Sequence, residues 1–260
     1  MKIRGLLLDL EGVLHQGDVP IPGALEAFRT LQASGLVIRY LTNTTTRPRR
    51  VIAERLEALG FAVDSEEVFS PPAAAARLLA ELGARRIHLA AAPELAEDFP
   101  DIEIVDEGER VDAVVLGDLY KDFTWDRLNG LFQAIAAGAL PIALHKNRVS
   151  RREEGISLDL GPFVAALEYA ADMKARVVGK PSAEFFALAL GSLDLQPAEA
   201  LMIGDDIEAD IGGALNAGLA AVQVKTGKYR PRDDELPDIR PTGRIESIVE
   251  LAQWLRRHSS

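Results

Sequence analysis

The chain contains no cysteine, which excludes disulfides, thiolate metal sites and thiol nucleophiles. Its four histidines include no pair at ligand spacing, which argues against a zinc centre. Positive charge is in deficit, with 29 Lys and Arg against 40 Asp and Glu for a formal charge of -11. Nucleic acid and anionic membrane surfaces are therefore not expected as partners, because both demand clustered cations to neutralise phosphates. An anionic substrate would have to be met by local positive charge or by a metal. Long apolar runs are missing too. The most apolar stretch, Leu131 to Leu144, carries Gln133, Gly138 and Pro141 and falls short of the ~20 residues a spanning helix needs. The opening MKIRGLLLDLEGVL reaches Asp9 too early to form a signal-peptide core, so a soluble, cytoplasmic protein is expected. The P-loop pattern GxxxxGK(S/T) and a GxGxxG fingerprint after a strand are both absent, leaving no familiar nucleotide site.

Against these absences stands an ordinary globular composition, 48% apolar and 27% charged, in a chain long enough for one large domain or for a core with an insertion. Four short apolar runs each stop at a polar residue: Gly5 to Leu8 before Asp9, Leu36 to Leu41 before Thr42, Arg176 to Val178 before Gly179 and Lys180, and Ala200 to Ile203 before Asp205. Buried strands of a parallel sheet have this form where they emerge at one edge. Helical patterns lie between them. Pro22 to Ser34 is closed by Gly35, and Pro48 opens a second helix that stops at Gly60. Ser182 is an N-cap for the helix with Phe185, Phe186 and Leu188, and Ile207 to Ala217 is closed by Gly218. Ala220 to Val224 supplies one more strand. The alternation predicts an α/β fold with a Rossmann-like, doubly wound parallel sheet as its core.

Residues 73–174 form a self-contained set of helices and strands, which predicts an inserted α/β domain between core segments 1–72 and 175–260. The polar, glycine-bearing stretches Leu95 to Arg110 and Lys146 to Ser157 read as loops. Within the second, Arg151, Arg152, Glu153 and Glu154 read as a solvated hairpin.

In an open parallel sheet the ligand site lies beyond the carboxyl ends of the strands. The residues that gather there by this reading are Asp9, Glu11, Thr42, Asn43, Lys180, Asp205 and Asp206. Four carboxylates at one edge repel one another unless a cation joins them, and magnesium is the hard, oxygen-seeking ion that suits such a set. A carboxylate can attack phosphorus to give an acyl phosphate, and a second carboxyl two residues on can manage the protons. Asp9 and Glu11 have that spacing. Residues two apart in an extended segment face the same side, and Gly12 permits the turn that follows. Lys180 would offset charge on Asp9 and a phosphoryl group, whose oxygens Thr42, Asn43 and helix-start amides would hold.

Taken in order, LLLDLEGVL, LTNTT, VVGKPS and MIGDDIEAD resemble the four motifs of the haloacid dehalogenase-like (HAD) phosphatases. The insertion between the second and third motifs resembles the class IIA cap. HKNRVSRREEGISLDLGPFVAALEYA and VKTGKY carry the likeness further within the nitrophenylphosphatase-like branch. The resemblance spans nearly the whole chain and implies that Asp9 is the nucleophile. It also implies that Asp9, Asp205 and residue Glu11, through its backbone carbonyl, hold magnesium. Thr42, Asn43 and Lys180 would then bind phosphate, with Asp206 and Asp210 near the metal as outer acceptors or through water. A small phosphorylated metabolite is the implied substrate, with pyrophosphate or a phosphorylated amino group in range, and a homodimer paired through the cap is the implied assembly.

The chain departs from the family at Glu11, where aspartate is usual. A displacement of ~1 Å in a catalytic group costs on the order of a hundredfold in rate, so slower turnover is expected. A phosphate-binding or scaffold protein without useful turnover is the competing expectation. His15 is given no catalytic role. His145, Asn147 and Arg148 close a strand of the inserted domain, either to read a substrate or as a polar loop.

Overall fold

The structure is a computed structural model that describes residues 2–152 and 155–258. Glu153 and Glu154 of the charged run therefore lie outside the described residues. The chain divides into two units, one of Met1–Thr42, Arg49–Phe69 and Lys180–Ser260, the other of Asn43–Pro48 and Ser70–Gly179.

The first unit holds a six-stranded sheet in the spatial order Gly243–Ile245, Ala220–Val224, Ala200–Gly204, Gly5–Asp9, Val37–Leu41, Val68–Phe69. Every neighbouring pair is parallel. Gly5–Asp9 has a partner on each side and all five of its residues are buried, which is why an unbroken apolar run was needed to build it. Leu6 and Leu8 share one core with Phe28 and Leu31 of the helix Ala24–Gln32, Leu56 of Arg49–Ala58 and Trp254 of Leu251–His258. Phe28 lies 5.7 Å from Tyr40 and 5.3 Å from Phe61, ring centre to ring centre. Leu7 falls on the other face of the sheet by strand alternation. The helix Ala183–Gly191 begins where expected, with Ser182 Oγ accepting from the Glu184 amide at 3.2 Å. The outer strands Val68–Phe69 and Gly243–Ile245 were not foreseen, since two or three residues carry no readable period.

The second unit has its own parallel sheet, in the order Arg176–Val177, Leu140–Ala143, Ala113–Leu116, Arg86–Ala90, Glu103–Ile104. Arg176 to Val178, expected as a strand of the core sheet, instead pairs with Leu140–Ala143. A terminated apolar run marks a parallel strand without saying which sheet it joins. Val114, Leu116 and Ala143 pack with Leu131 and Ile135 of the helix Trp125–Ala136 and with Leu160, Val164 and Leu167 of Leu160–Ala171. The helix Pro71–Leu82 starts from Ser70, whose hydroxyl accepts from the Ala73 amide, with proline in its first turn. Both expected loops carry structure. The first contains the short strand Glu103–Ile104, and the second an antiparallel pair, Val149–Arg152 with Gly155–Leu158. Among the described residues no helix is long and apolar enough to cross a membrane.

Candidate active site

Strand register brings the first unit's polar residues to one edge. Leu8 is paired with Ile203, so Asp205 follows just beyond the end of the neighbouring strand, and Asp9 is paired with Leu41, with Thr42 next. Thr42 is buried and its amide donates to the Phe69 carbonyl at 3.1 Å. Lys180 begins the unit's last segment. Its Nζ donates to Asp9 Oδ1 and, at 2.6 Å, to Asp210 Oδ1. Lys180, Asp9 and Asp210 are only 5%, 7% and 1% exposed, so these are interior charges rather than surface pairs.

The two aspartates after Asp205, Asp206 and Asp210, have separate tasks. Asp206 Oδ1 accepts from the amides of Glu208 and Ala209 at 3.0 and 2.9 Å, as an N-cap does. Its Oδ2 takes Lys228 Nζ at 3.1 Å. The helix expected over Ile207 to Ala217 opens with a π-helical turn, Ile207–Gly212, before the α-helical Gly213–Asn216. Four residues past the cap the chain has come round to the same side, and Asp210 is the residue turned inward. Gly204 makes room for it, because a Cβ there would collide with the Asp210 side chain. One carboxylate oxygen each from Asp9, Asp205 and Asp210 lies within 4.8 Å of the others.

Asp205 is held from several directions. Its Oδ2 accepts from the Lys228 amide at 2.7 Å, and Gly12 and Gly227 close over the same oxygen with φ of 83° and 61°. A Cβ on either glycine would strike that oxygen, and positive φ disfavours other residues there in any case. Thr226 Oγ1 donates to the Gly12 carbonyl, tying the two loops together. Asp205 Oδ1 is buried and has no hydrogen-bond partner. Sequence reasoning did not assign the loop residues Thr226, Gly227 and Lys228. Their signal was a Thr-Gly pair one residue past a buried strand, where the backbone turns.

Burial pushes the Asp9 carboxyl up to about 8, with Asp210 adding to the effect and Lys180 opposing it. Burial likewise pushes Asp205 up to about 6, against the Lys228 amide. Burial also works to discharge Lys180, but Asp210 and Asp9 together outweigh it and keep the ammonium above its ordinary range. One lysine thus faces three carboxylates, and the remaining negative charge must be met by protons or a cation. The unpartnered Asp205 Oδ1 and the all-oxygen donor set fit a hard divalent ion such as magnesium.

Glu11 lies outside this carboxylate group. Its half-exposed carboxylate accepts from the Gly17 amide at 2.8 Å and stands 3.2 Å from His15 Nδ1, which also lies 2.9 Å from the Gly17 carbonyl. An Nδ1 facing two acceptors carries the proton. Asn43 belongs to the second unit. There His145 is buried, its Nε2 3.7 Å from Asp159 Oδ1 and its Nδ1 accepting from the Asn147 amide at 3.3 Å. Burial lowers the His145 pKa, with Asp159 and Asp118 opposing.

The sequence pattern described as haloacid dehalogenase-like hydrolase matches residues 6–104, and one described as HAD-hydrolase-like matches residues 177–251. A phospholysine phosphohistidine inorganic pyrophosphate phosphatase from Xenopus laevis is 40% identical over 97% of this chain and 94% of its own length. Among solved structures, a 4-nitrophenylphosphatase from Thermotoga maritima shares 27% identity at a TM-score of 0.84, over 97% of each chain. A glycerol phosphate phosphatase from Mycobacterium tuberculosis, in complex with magnesium, shares 32% identity at a TM-score of 0.79, over 96% of this chain and 76% of that one.

The raised carboxyls predict how metal and protons compete. Carboxyls raised from 3.8 to about 8 and about 6 hold protons that the unfolded chain has released, so the metal-free protein loses stability as pH rises from the ordinary carboxyl value, through Asp205 until about 6 and through Asp9 until about 8. A divalent cation bound there has to displace those protons, and magnesium is the test ion. Its affinity, measured by calorimetry, should rise by about tenfold or more from pH 6 to pH 8, with a larger magnesium-induced rise in melting temperature at the higher pH. An affinity that falls over this range would contradict the geometry. Gly12→Ala should displace the Asp205 carboxylate and remove the magnesium-induced thermal shift, which differential scanning fluorimetry reads directly.

Proposed function

The chain belongs to the haloacid dehalogenase-like hydrolases and is a phosphatase of that superfamily, and on that premise we propose that it hydrolyses small phosphate monoesters with magnesium through a phosphoryl bond to Asp9. Pyrophosphate and phosphorylated amino groups fall in the same substrate range, which the names of its relatives support. The observation that carries the proposal is the buried group of Asp9, Asp205 and Asp210 with Lys180 shared between two of them.

In the first displacement an Asp9 oxygen forms a bond to phosphorus as the bond to the leaving oxygen breaks, and that oxygen takes a proton from Glu11. In the second, a water oxygen bonds to phosphorus, Glu11 takes the water's proton, and the bond to Asp9 breaks to return the carboxylate and free phosphate. Lys180 stabilises the negative charge in both steps, and Thr42 and Asn43 orient the phosphoryl oxygens. Asp9, Asp205 and the Glu11 carbonyl are the proposed magnesium donors, with Asp206 and Asp210 around them. When bound, the ion supplies charge neutralisation for the carboxylates and the phosphoryl group. The inserted unit is proposed as the cap that selects the substrate. A cytoplasmic location and a homodimer paired through the inserted unit complete the proposal, the latter supported by exposed Val149, Ile156 and Leu158 on its antiparallel pair.

Phosphate release from 4-nitrophenyl phosphate and from pyrophosphate, with and without magnesium, tests the proposal. Asp9→Asn should lower kcat by about a thousandfold or more, since losing a nucleophile removes the covalent route. Equal turnover by the parent and Asp9→Asn would rule the route out.

A further inference from the structure

The strand Ala220–Val224 reads Ala-Ala-Val-Gln-Val, and its one polar residue, Gln223, is fully buried. A buried amide is tolerated only when its donors and acceptor are satisfied. Gln223 Nε2 donates to the Asp205 carbonyl at 3.3 Å and to Asp233 Oδ2 at 3.1 Å, while its Oε1 accepts from Arg244 Nε at 3.1 Å. Donors on one side and an acceptor on the other fix which way the amide points.

Each partner is tied in turn. Asp233 is buried, its Oδ2 also accepts from the Arg230 amide at 3.0 Å, and its carbonyl accepts from the Arg244 guanidinium at 2.9 Å. Arg244 sits directly opposite Gln223 on the neighbouring strand. These contacts pin the far end of the loop that follows Val224, and the Lys225 amide, bonded to the Ile245 carbonyl at 3.0 Å, pins its start. Between these anchors the loop presents Thr226 to Gly12 and the Lys228 amide to Asp205 Oδ2. Asp205 is therefore gripped twice, at its backbone carbonyl by Gln223 and at one carboxylate oxygen by the loop. The oxygen left over is the buried, unpartnered Oδ1.

We propose that Gln223, Asp233 and Arg244 are positioning residues that aim Asp205 Oδ1 at the metal, acting through the loop Thr226, Gly227 and Lys228. The inference rests on the magnesium site proposed above. Residues that orient a metal ligand without touching the metal typically govern affinity by 10- to 100-fold. A network serving only the fold would change stability and leave affinity alone.

The test is magnesium binding by calorimetry, together with the magnesium-induced shift in melting temperature, on the full chain. Parent, Gln223→Met and Arg244→Met are compared with Ile52→Ala, a control that loosens the core away from the network. Gln223→Met and Arg244→Met should each bind magnesium about tenfold more weakly or worse, while Ile52→Ala melts earlier yet keeps the parent's affinity. Parental affinity in a folded Gln223→Met or Arg244→Met overturns the inference, and so does an equal loss in Ile52→Ala. Arg244 is part-exposed, so Arg244→Met decides the matter if Gln223→Met does not fold. A parent that binds no magnesium is a separate result, which overturns the metal site itself and the inference with it.

Discussion

The shared ammonium of Lys180 is the interaction on which the first unit's chemistry depends. Close opposite charges at an effective dielectric near 20 attract by about 4 kcal/mol a pair, and a buried ion costs several kcal/mol in lost hydration. With two carboxylates in contact, Lys180 recovers that cost and stays charged. Asp9 and Asp210 have to divide one cation between them, and Asp205 has a backbone amide instead of an ammonium. The site is left short of positive charge inside a strongly acidic chain. Burial, with this shortage adding to it, raises the Asp9 and Asp205 carboxyls, and the same oxygens are good donors to a hard cation.

The frame of this site was legible in the sequence because a parallel sheet makes its strand ends visible. Apolar runs stopping at Asp9, Thr42 and Asp205 gave three neighbouring positions on one edge, and the observed register agrees. Lys180 was legible as a polar stop as well, although the short strand before it belongs to the other unit's sheet. Pairing partners are set by distant contacts, and no local pattern records them. The division of labour between Asp206 and Asp210 was less visible. Both are acidic and close in sequence, and only the opening turn of the following helix shows that Asp206 caps it while Asp210 turns inward. Gln223 carried a signal that went unread. A polar residue inside an otherwise apolar strand either disrupts the sheet or has buried partners, and here it has three.

Glu11 stands where the family resemblance implies aspartate. Its extra methylene accompanies a carboxylate anchored to the Gly17 amide and set beside His15. Aspartate at the same position is shorter, so the anchoring contact and the glutamate belong together. In the proposed mechanism, proton transfer by Glu11 requires the side chain to leave that amide for the leaving group. On the proposed mechanism this movement slows turnover without abolishing it.

The central claim is that phosphate passes through a covalent bond to Asp9. Acid quenching a magnesium-loaded reaction in its first turnover, followed by mass spectrometry of the peptide that carries Asp9, tests it most directly. A phosphoryl group on Asp9 that forms and decays at the rate of phosphate release is the predicted result. Phosphate released in the first turnover with the peptide never modified, even when the quench is faster than turnover, would contradict it and point to direct attack by water.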